Sequence, residues 1–552
     1  MMRLAFVLAA ALVWAGCGRS KKEVNLIVYN AKVYTMDGGL AVLESFAVKD
    51  GRITAVGTNE SIAAVFESDS MLDVKGKVIL PGLIDAHAHF TGYGLGLQEC
   101  DLVGTTSYAD VLDRVKMYSA TNRREWIIGR GWDQNDWPSK TYPDRAQLDS
   151  LFPRTPVLLQ RIDGHAALAN GEALRRAGIR DTLVINGGEL LRREDGSLSG
   201  VLIDNAVELV QRVVPAPNEE VTRKALLAAQ ENCIEAGLTS VTDAGLLKRD
   251  IDAIDKLHKS GELKLRVYAM LSDSAPNYAH YLASGPYITD RLIVRSFKFY
   301  GDGALGSRGA CLLNDYSDLP GHRGFLLRTR KHYEEKFRKV AAKGFQVNTH
   351  CIGDSAARMT LRLYAQLLSD TLLVKDKAAQ RWRIEHAQVV QPADMQWFKD
   401  YGIIPSMQPT HATSDMYWAA DRLGDTRVRW AYALNALRKS AGTIALGTDF
   451  PVEQISPWLT LHAAVVRTDA KGFPAGGYQK ENALSRTDAL LGMTRWAAYA
   501  EFAENEKGSI AAGRFADFII IDTDPMTCPE SKLAGIQVLA TYIQGQKVYQ
   551  RK

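Results

Sequence analysis

Between Val24 and Val78 apolar and polar residues alternate in short runs, Leu26-Ile27-Val28-Tyr29-Asn30-Ala31-Lys32-Val33-Tyr34 and Ser45-Phe46-Ala47-Val48-Lys49, punctuated by Asp37-Gly38-Gly39, Asp50-Gly51 and Lys75-Gly76. Period-two alternation bounded by glycine-containing turns predicts antiparallel strands and hairpins. The same texture returns near the C-terminus at 516–522 and 538–543, followed by Gln544-Gly545-Gln546-Lys547. Residues 23–80 and 501–552 are therefore expected to form one small β-sandwich, with the middle of the chain inserted into it.

In that middle, apolar strand-like runs alternate with helical stretches, the pattern of a parallel sheet made of βαβ units. Eight strands are predicted, at 83–87, 239–243, 265–270, 294–300, 346–350, 383–387, 403–407 and 443–446. Starts at 239, 265 and 294 are spaced close to the roughly 31 residues per unit of a typical (β/α)8 barrel, so residues 81–500 are expected to be an α/β protein of the TIM-barrel type. The gap between the first two strands is far longer. It implies an insertion at about 90–231, carrying Trp126, Trp132 and Trp137, several helical runs and a hairpin around Gly187-Gly188 and Asp195-Gly196. Loops after barrel strands lie over the C-terminal face, so this insertion is placed to roof it.

Composition adds mostly exclusions. With 552 residues, 46% hydrophobic, 24% charged and a formal net charge of +4, the chain is neither disordered nor basic enough for nucleic acid or a polybasic membrane contact. A small-molecule substrate is expected, and a homo-oligomer is compatible with it. The first 17 residues stand apart: Arg3, an apolar run from Leu4 to Trp14, Ala15-Gly16, then Cys17. The run falls short of the roughly 20 residues of a membrane-spanning helix and reads as an export signal. It resembles a bacterial lipoprotein signal, which implies a lipid anchor at Cys17 on an exported cell-envelope protein facing the periplasm. Trp14 departs from the usual leucine, and simple cleavage and release is the alternative. Cys100, Cys233, Cys311, Cys351 and Cys528 are odd in number and widely and irregularly spaced, unlike the even, dense sets of a disulfide framework. Cys351 beside His350 is read as packing, because neighbours on a strand face opposite ways.

Chemistry concentrates where the predicted strands end. Pro81-Gly82-Leu83-Ile84-Asp85-Ala86-His87-Ala88-His89 is an apolar strand closing on two histidines at i and i+2, which share a face and can chelate a divalent cation such as zinc. A surface or core pair is the bland reading. Against it, His350 and His386 also end predicted strands, so four of only 11 histidines fall at strand C-termini, where this fold places catalytic groups. Asp449 follows the eighth strand in Leu446-Gly447-Thr448-Asp449, with helix capping as its structural alternative. Alternation puts Phe297 and Phe299 toward the helices and Ser296 and Lys298 inside the barrel. A buried ammonium must pair, lose its proton or be converted. Pairing with Asp302 is one outcome; a carbamate bridging two cations is the other.

In this order and spacing the chain resembles the amidohydrolase superfamily, in particular the branch of YtcJ-type metal-dependent hydrolases and N-substituted formamide deformylases. The resemblance runs through His87/His89, Gly129-Arg130-Gly131-Trp132-Asp133, Asp163-Gly164-His165-Ala166, Asp302-Gly303-Ala304-Leu305-Gly306-Ser307-Arg308, His350 with Gly353-Asp354, Glu385-His386-Ala387, Gly447-Thr448-Asp449-Phe450-Pro451 and Lys507-Gly508-Ser509-Ile510. It implies His87, His89, His350, His386 and Asp449 as ligands of one or two divalent ions, with Lys298 as a carboxylated bridge. Thr242 stands where relatives more often carry a histidine, so no ligand is assigned there.

A zinc-like ion lowers the pKa of bound water from about 15.7 to about 7 and polarises a carbonyl. Asp449 is the expected general base and acid, passing a proton from water to the leaving amine. His165 and His411 are expected to hold substrate oxygens or to be structural, and Asp302, Arg308 and Trp132 are lesser candidates for the pocket wall. The expected activity is hydrolysis of a C–N bond in an amide, N-formyl amine or cyclic amide. The same metal barrel as an esterase, deaminase or isomerase is the alternative, and a non-catalytic binding lipoprotein a third reading.

Overall fold

The structure is a computed structural model that describes residues 20–552; the expected export signal and Cys17 lie outside the described residues. Eight parallel strands form the central sheet: β1 (Leu83–Ala88), β2 (Leu238–Leu246), β3 (Arg266–Ser272), β4 (Leu292–Tyr300), β5 (Gln346–Cys351), β6 (Arg383–His386), β7 (Ile404–Met407) and β8 (Ala445–Leu446), paired in chain order. The segment after β8 closes the cylinder onto β1, Asp449 N donating to the His87 carbonyl at 2.8 Å and His89 N to the Phe450 carbonyl at 2.8 Å. All eight predicted strands are present.

Their alternation sets the layers. Phe297 and Phe299 on β4 enter the apolar layer beneath the helices with Phe337 and Phe345, while Lys298 between them is buried on the other face. On β5, Cys351 lies in that helix layer and His350 faces the opposite way, lining the mouth. The lower end of the cylinder is closed by the helix Arg495–Ala500: Ala497, Ala498 and Ala500 pack on Ile84, Ala86, Ile404 and Ala445, and Gln346 Nε2 donates to the Ala500 carbonyl at 3.0 Å.

Both ends of the chain meet in the sandwich. One sheet is made of Leu26–Tyr29, Ser45–Lys49, Arg52–Gly57 and Met71–Asp73; the other joins Lys32–Tyr34, Val42–Leu43 and Val78–Pro81 to the C-terminal strands Phe518–Ile521, Val538–Ile543 and Gln546–Gln550. Phe46 and Phe518 meet edge to face at 5.1 Å across their shared core.

Between β1 and β2 the chain builds a separate six-stranded sheet from Cys100–Asp101 to Leu198–Asp204. The helix Glu219–Glu235 then returns to the barrel, burying Leu226, Ala229, Cys233 and Ile234 in the same core as Leu83 and Val241. The insertion has its own cores, and these take the tryptophans: Trp126, Trp132 and Trp137 are all buried inside it. They hold the roof together and do not face the barrel mouth.

Candidate metal centre

The mouth of the barrel opens into a cavity of about 970 Å³ walled by both barrel and roof. His87, fully buried behind the cavity wall, is anchored by contact of Nδ1 with Glu385 Oε2, which leaves Nε2 pointing to Lys298 Nζ at 3.2 Å and Asp449 Oδ1 at 3.4 Å. His89 is oriented the same way: Nδ1 lies 3.1 Å from the Ala244 carbonyl, and Nε2 3.1 Å from Asp449 Oδ1. Fixing one ring nitrogen to a carboxylate or carbonyl is the usual means of aiming the other at a metal.

Asp449 is the hinge of two donor groups. Its carboxylate joins His87 and His89 on one side and His386 and His411 on the other, with ligand-competent atoms of each set within 4.8 Å of one another. His411 Nε2 is 3.6 Å from Asp449 Oδ2, and its ring stacks on His386 at 5.8 Å. His350 packs on His386 with centroids 4.4 Å apart. Among the described residues Asp449 Oδ1, His386 Nδ1 and His411 Nε2 are buried without a hydrogen-bond partner. Buried polar atoms are rarely left so, and here imidazole and carboxylate atoms converge on one another. The donor set fits a divalent cation, imidazole and carboxylate being ordinary ligands of such ions.

Electrostatics agree. Burial, followed by the neighbouring Lys298 ammonium, lowers His87 to about 4; burial likewise drives His350 and His386 well below the usual imidazole value. Burial alone would raise Asp449, but His89, His87 and His386 outweigh it and hold the carboxyl well below its usual range. At neutral pH His87, His350 and His386 are therefore unprotonated and Asp449 is ionised, the state that binds metal.

Lys298 is fully buried between His87 and the Tyr300 ring, 4.9 Å away. Pairing with Asp302 does not occur: that carboxylate accepts the backbone N–H groups of Cys311 at 2.7 Å, Ile352 at 3.0 Å and Gly353 at 2.7 Å, and shapes the loop after β4. Burial brings the Lys298 ammonium down to about 8.

Of the wall residues expected from sequence, His165 and His411 line the cavity, and three do not. Trp132 is inside the roof, its indole N–H donating to the Leu159 carbonyl at 2.8 Å. Asp302 is spent on backbone amides, and Arg308 pairs with Asp318 at 2.8 Å away from the cavity. Trp418 and Trp458 line it instead.

Glu385, part of the Glu385-His386-Ala387 motif but given no role from sequence, and Arg383 position His87 from within the barrel. Arg383 Nε lies 2.7 Å from Glu385 Oε1 inside the barrel, both fully buried. Burial alone would raise Glu385; the Arg383 charge, then His87, bring it to about 2. The alternation Arg383-Ile384-Glu385 was legible as two charges on one face of a strand. Two backbone departures were not. The pairing of β1 with β2 slips between Asp85 and Ala88, so Ala86 packs inside the cylinder and His87, the next residue, also reaches Glu385. His386 has φ 69°, which turns its ring into the mouth against the alternation of β6.

A closed (β/α)8 cylinder with imidazoles and a carboxylate gathered at its C-terminal mouth defines the class of metal-dependent barrel hydrolases. The chain belongs to the amidohydrolase family, whose pattern it matches over residues 71–549. It is 32% identical over 543 residues to protein LONG AFTER FAR-RED 3 of Arabidopsis thaliana, covering 95% of this chain and 91% of that one. It is 30% identical over 539 residues to the putative amidohydrolase YtcJ of Bacillus subtilis, 96% and 100% being covered. Identity to the N-substituted formamide deformylase of Arthrobacter pascens is 24% over 553 residues, covering 96% and 98%. Among solved structures, a metal-dependent hydrolase of Pyrococcus horikoshii superposes with a TM-score of 0.74 at 27% identity, covering 92% of this chain and 99% of that one.

Proposed function

We propose that the protein hydrolyses a C–N bond in an amide, an N-formyl amine or a cyclic amide. The observation that carries this reading is the single carboxylate, Asp449, shared between two imidazole pairs on the floor of a roofed cavity; the likeness to a formamide deformylase supports the bond class. His87, His89, His350, His386 and Asp449 would hold a divalent ion, zinc by donor type, with Lys298 placed to bridge a second as its carbamate. When bound, such an ion supplies a more acidic water and a polarised carbonyl.

The residues do the rest. Glu385 and the Ala244 carbonyl aim His87 and His89. Asp449, ionised and fixed among imidazoles, accepts the proton that water loses on adding to the carbonyl carbon and delivers it to the departing nitrogen as the C–N bond breaks. Acid and amine result, with no net proton change at Asp449. Formation of the carbamate joins the neutral Lys298 amine to carbon dioxide with loss of one proton.

The test is metal analysis of the purified protein followed by a panel of N-formyl amines, simple amides, cyclic amides and matched esters. Turnover of the C–N substrates that scales with metal content is expected; turnover of esters alone overturns the bond assignment. Omission of carbon dioxide during metal loading should lower the metal content if Lys298 bridges, and short carboxylic acids should restore it in Lys298→Ala. We also propose, from Cys17 and the run before it, a lipid-anchored cell-envelope protein; mass spectrometry showing an unmodified N-terminus after Gly16 would remove the anchor.

A further inference from the structure

The roof carries a second carboxylate–imidazole pair. Ala166–Ala169 and Leu198–Asp204 run antiparallel with Ala166 opposite Ile203, which sets His165 beside Asp204 at the end of the ladder. Asp204 N donates to the His165 carbonyl at 2.8 Å, and His165 Nδ1 lies 2.6 Å from Asp204 Oδ1. That bond uses one ring nitrogen. The other, Nε2, forms no hydrogen bond with any described residue, and the ring lines the cavity with its centroid 5.0 Å from His350.

The surroundings of Asp204 are built for its carboxylate. It sits on a left-handed backbone at φ 50°, a conformation unfavourable for an aspartate. Its side chain is fully buried, with Oδ2 unpartnered among the described residues. The loop after β4 leaves the space: a Cβ added at Gly303 would come 2.1 Å from Asp204 Oδ2, and one added at Gly309 2.2 Å from the same atom. At Gly303 the three nearest atoms to that Cβ all belong to the Asp204 carboxyl group. Two glycines of the barrel thus clear room for one carboxylate of the roof.

We infer that His165 is a catalytic residue supplied by the roof, its Nε2–H donating to the substrate oxygen that gains negative charge when water adds to the carbonyl, and that Asp204 is the positioning residue that fixes the ring through Nδ1. Asp204 occupies Nδ1, so Nε2 is the nitrogen left to face the cavity; the donor keeps its proton throughout, and the proton traffic stays with Asp449. The inference rests on the proposed hydrolysis for the identity of the oxygen, not for the geometry of the pair.

The test uses the full-length metal-loaded protein. His165→Ala should lower kcat about a hundredfold on the best C–N substrate, as loss of one oxyanion donor does, with KM within about threefold and metal content unchanged. Asp204→Ala should match it, and Asp204→Asn, which keeps an acceptor at Nδ1, should regain part of the rate. Gly309→Ala, displacing the carboxylate without touching either residue, should resemble Asp204→Ala. Full kcat in a folded His165→Ala, or loss of its metal, overturns the inference. Nitrogen-15 spectra of labelled histidine give a readout free of turnover. Saturating formate, the acid product of an N-formyl substrate, should shift the His165 Nε2 resonance in the parent and not in Asp204→Ala; an unmoved resonance in the parent overturns the inference. Failure of the whole C–N panel overturns the proposed function alone.

Discussion

The barrel floor and the roof use the same pair in opposite ways. His87 leans on Glu385 and His165 on Asp204, each through Nδ1 and each with a buried carboxylate. Glu385 is held by charge: Arg383 lies beside it and keeps it ionised. Among the described residues no guanidinium pairs with Asp204; burial pushes its carboxyl up, the His165 bond only partly offsets this, and two glycines enclose it. The floor pair is therefore fixed by charges inside a closed cylinder, whereas the roof pair is fixed by shape and by docking of the insertion on the loop after β4. A site assembled from both is complete only when the roof is seated.

The largest effect that would sharpen this contrast is at the shared carboxylate. Asp449→Asn should reduce kcat by about 10²–10⁴-fold, the range for loss of a proton-transfer group, and retention of full activity would remove Asp449 from proton transfer. Next, Arg383→Met leaves Glu385 buried without its countercharge and should destabilise the barrel by about 3–5 kcal/mol, read as a lower denaturation midpoint; an unchanged midpoint would mean that charge is not what fixes the floor.

The same pair predicts a pH dependence. Because the Glu385 pKa is depressed on folding, from 4.5 to about 2, its contribution is present above pH 4.5 and is lost as pH falls toward 2. Acid titration of stability should show this window in the parent and a weaker one in Arg383→Met. A smaller effect is expected at the orienting group itself: Glu385→Gln should weaken metal binding about 10–100-fold, while Asp204→Asn leaves metal affinity unchanged. Equal metal loss in both variants would erase the distinction between floor and roof. The smallest expected effect lies inside the roof, where Trp132→Phe loses the hydrogen bond to Leu159 at a cost of about 0.5–1.5 kcal/mol, with KM unchanged. A large KM change would return Trp132 to the cavity wall.

Strand order, the sandwich from both ends and the place of the insertion were all legible from alternation and spacing, because each depends on which face of a strand is buried. His87, His89, His350, His386 and Asp449 were legible for a related reason, as polar residues ending apolar strands. Arg308 and Trp132 misled, since proximity to a motif does not say which way a side chain turns. Arg308 has φ 60°, a loop conformation with no period to read, and Trp132 found its partner within the insertion's own core.

What the amino-acid order determined by itself is the set of strands and the groups carried to one end of them, since periodicity and strand length are local properties. Tertiary structure alone decided that the slip in β1 turns His87 inward beside Ala86, that a left-handed residue swings His386 into the mouth, and that Asp204, nearly a hundred residues from the loop after β4 in sequence, meets Gly303 and Gly309. These depend on register and on packing between distant segments, and no local period encodes either.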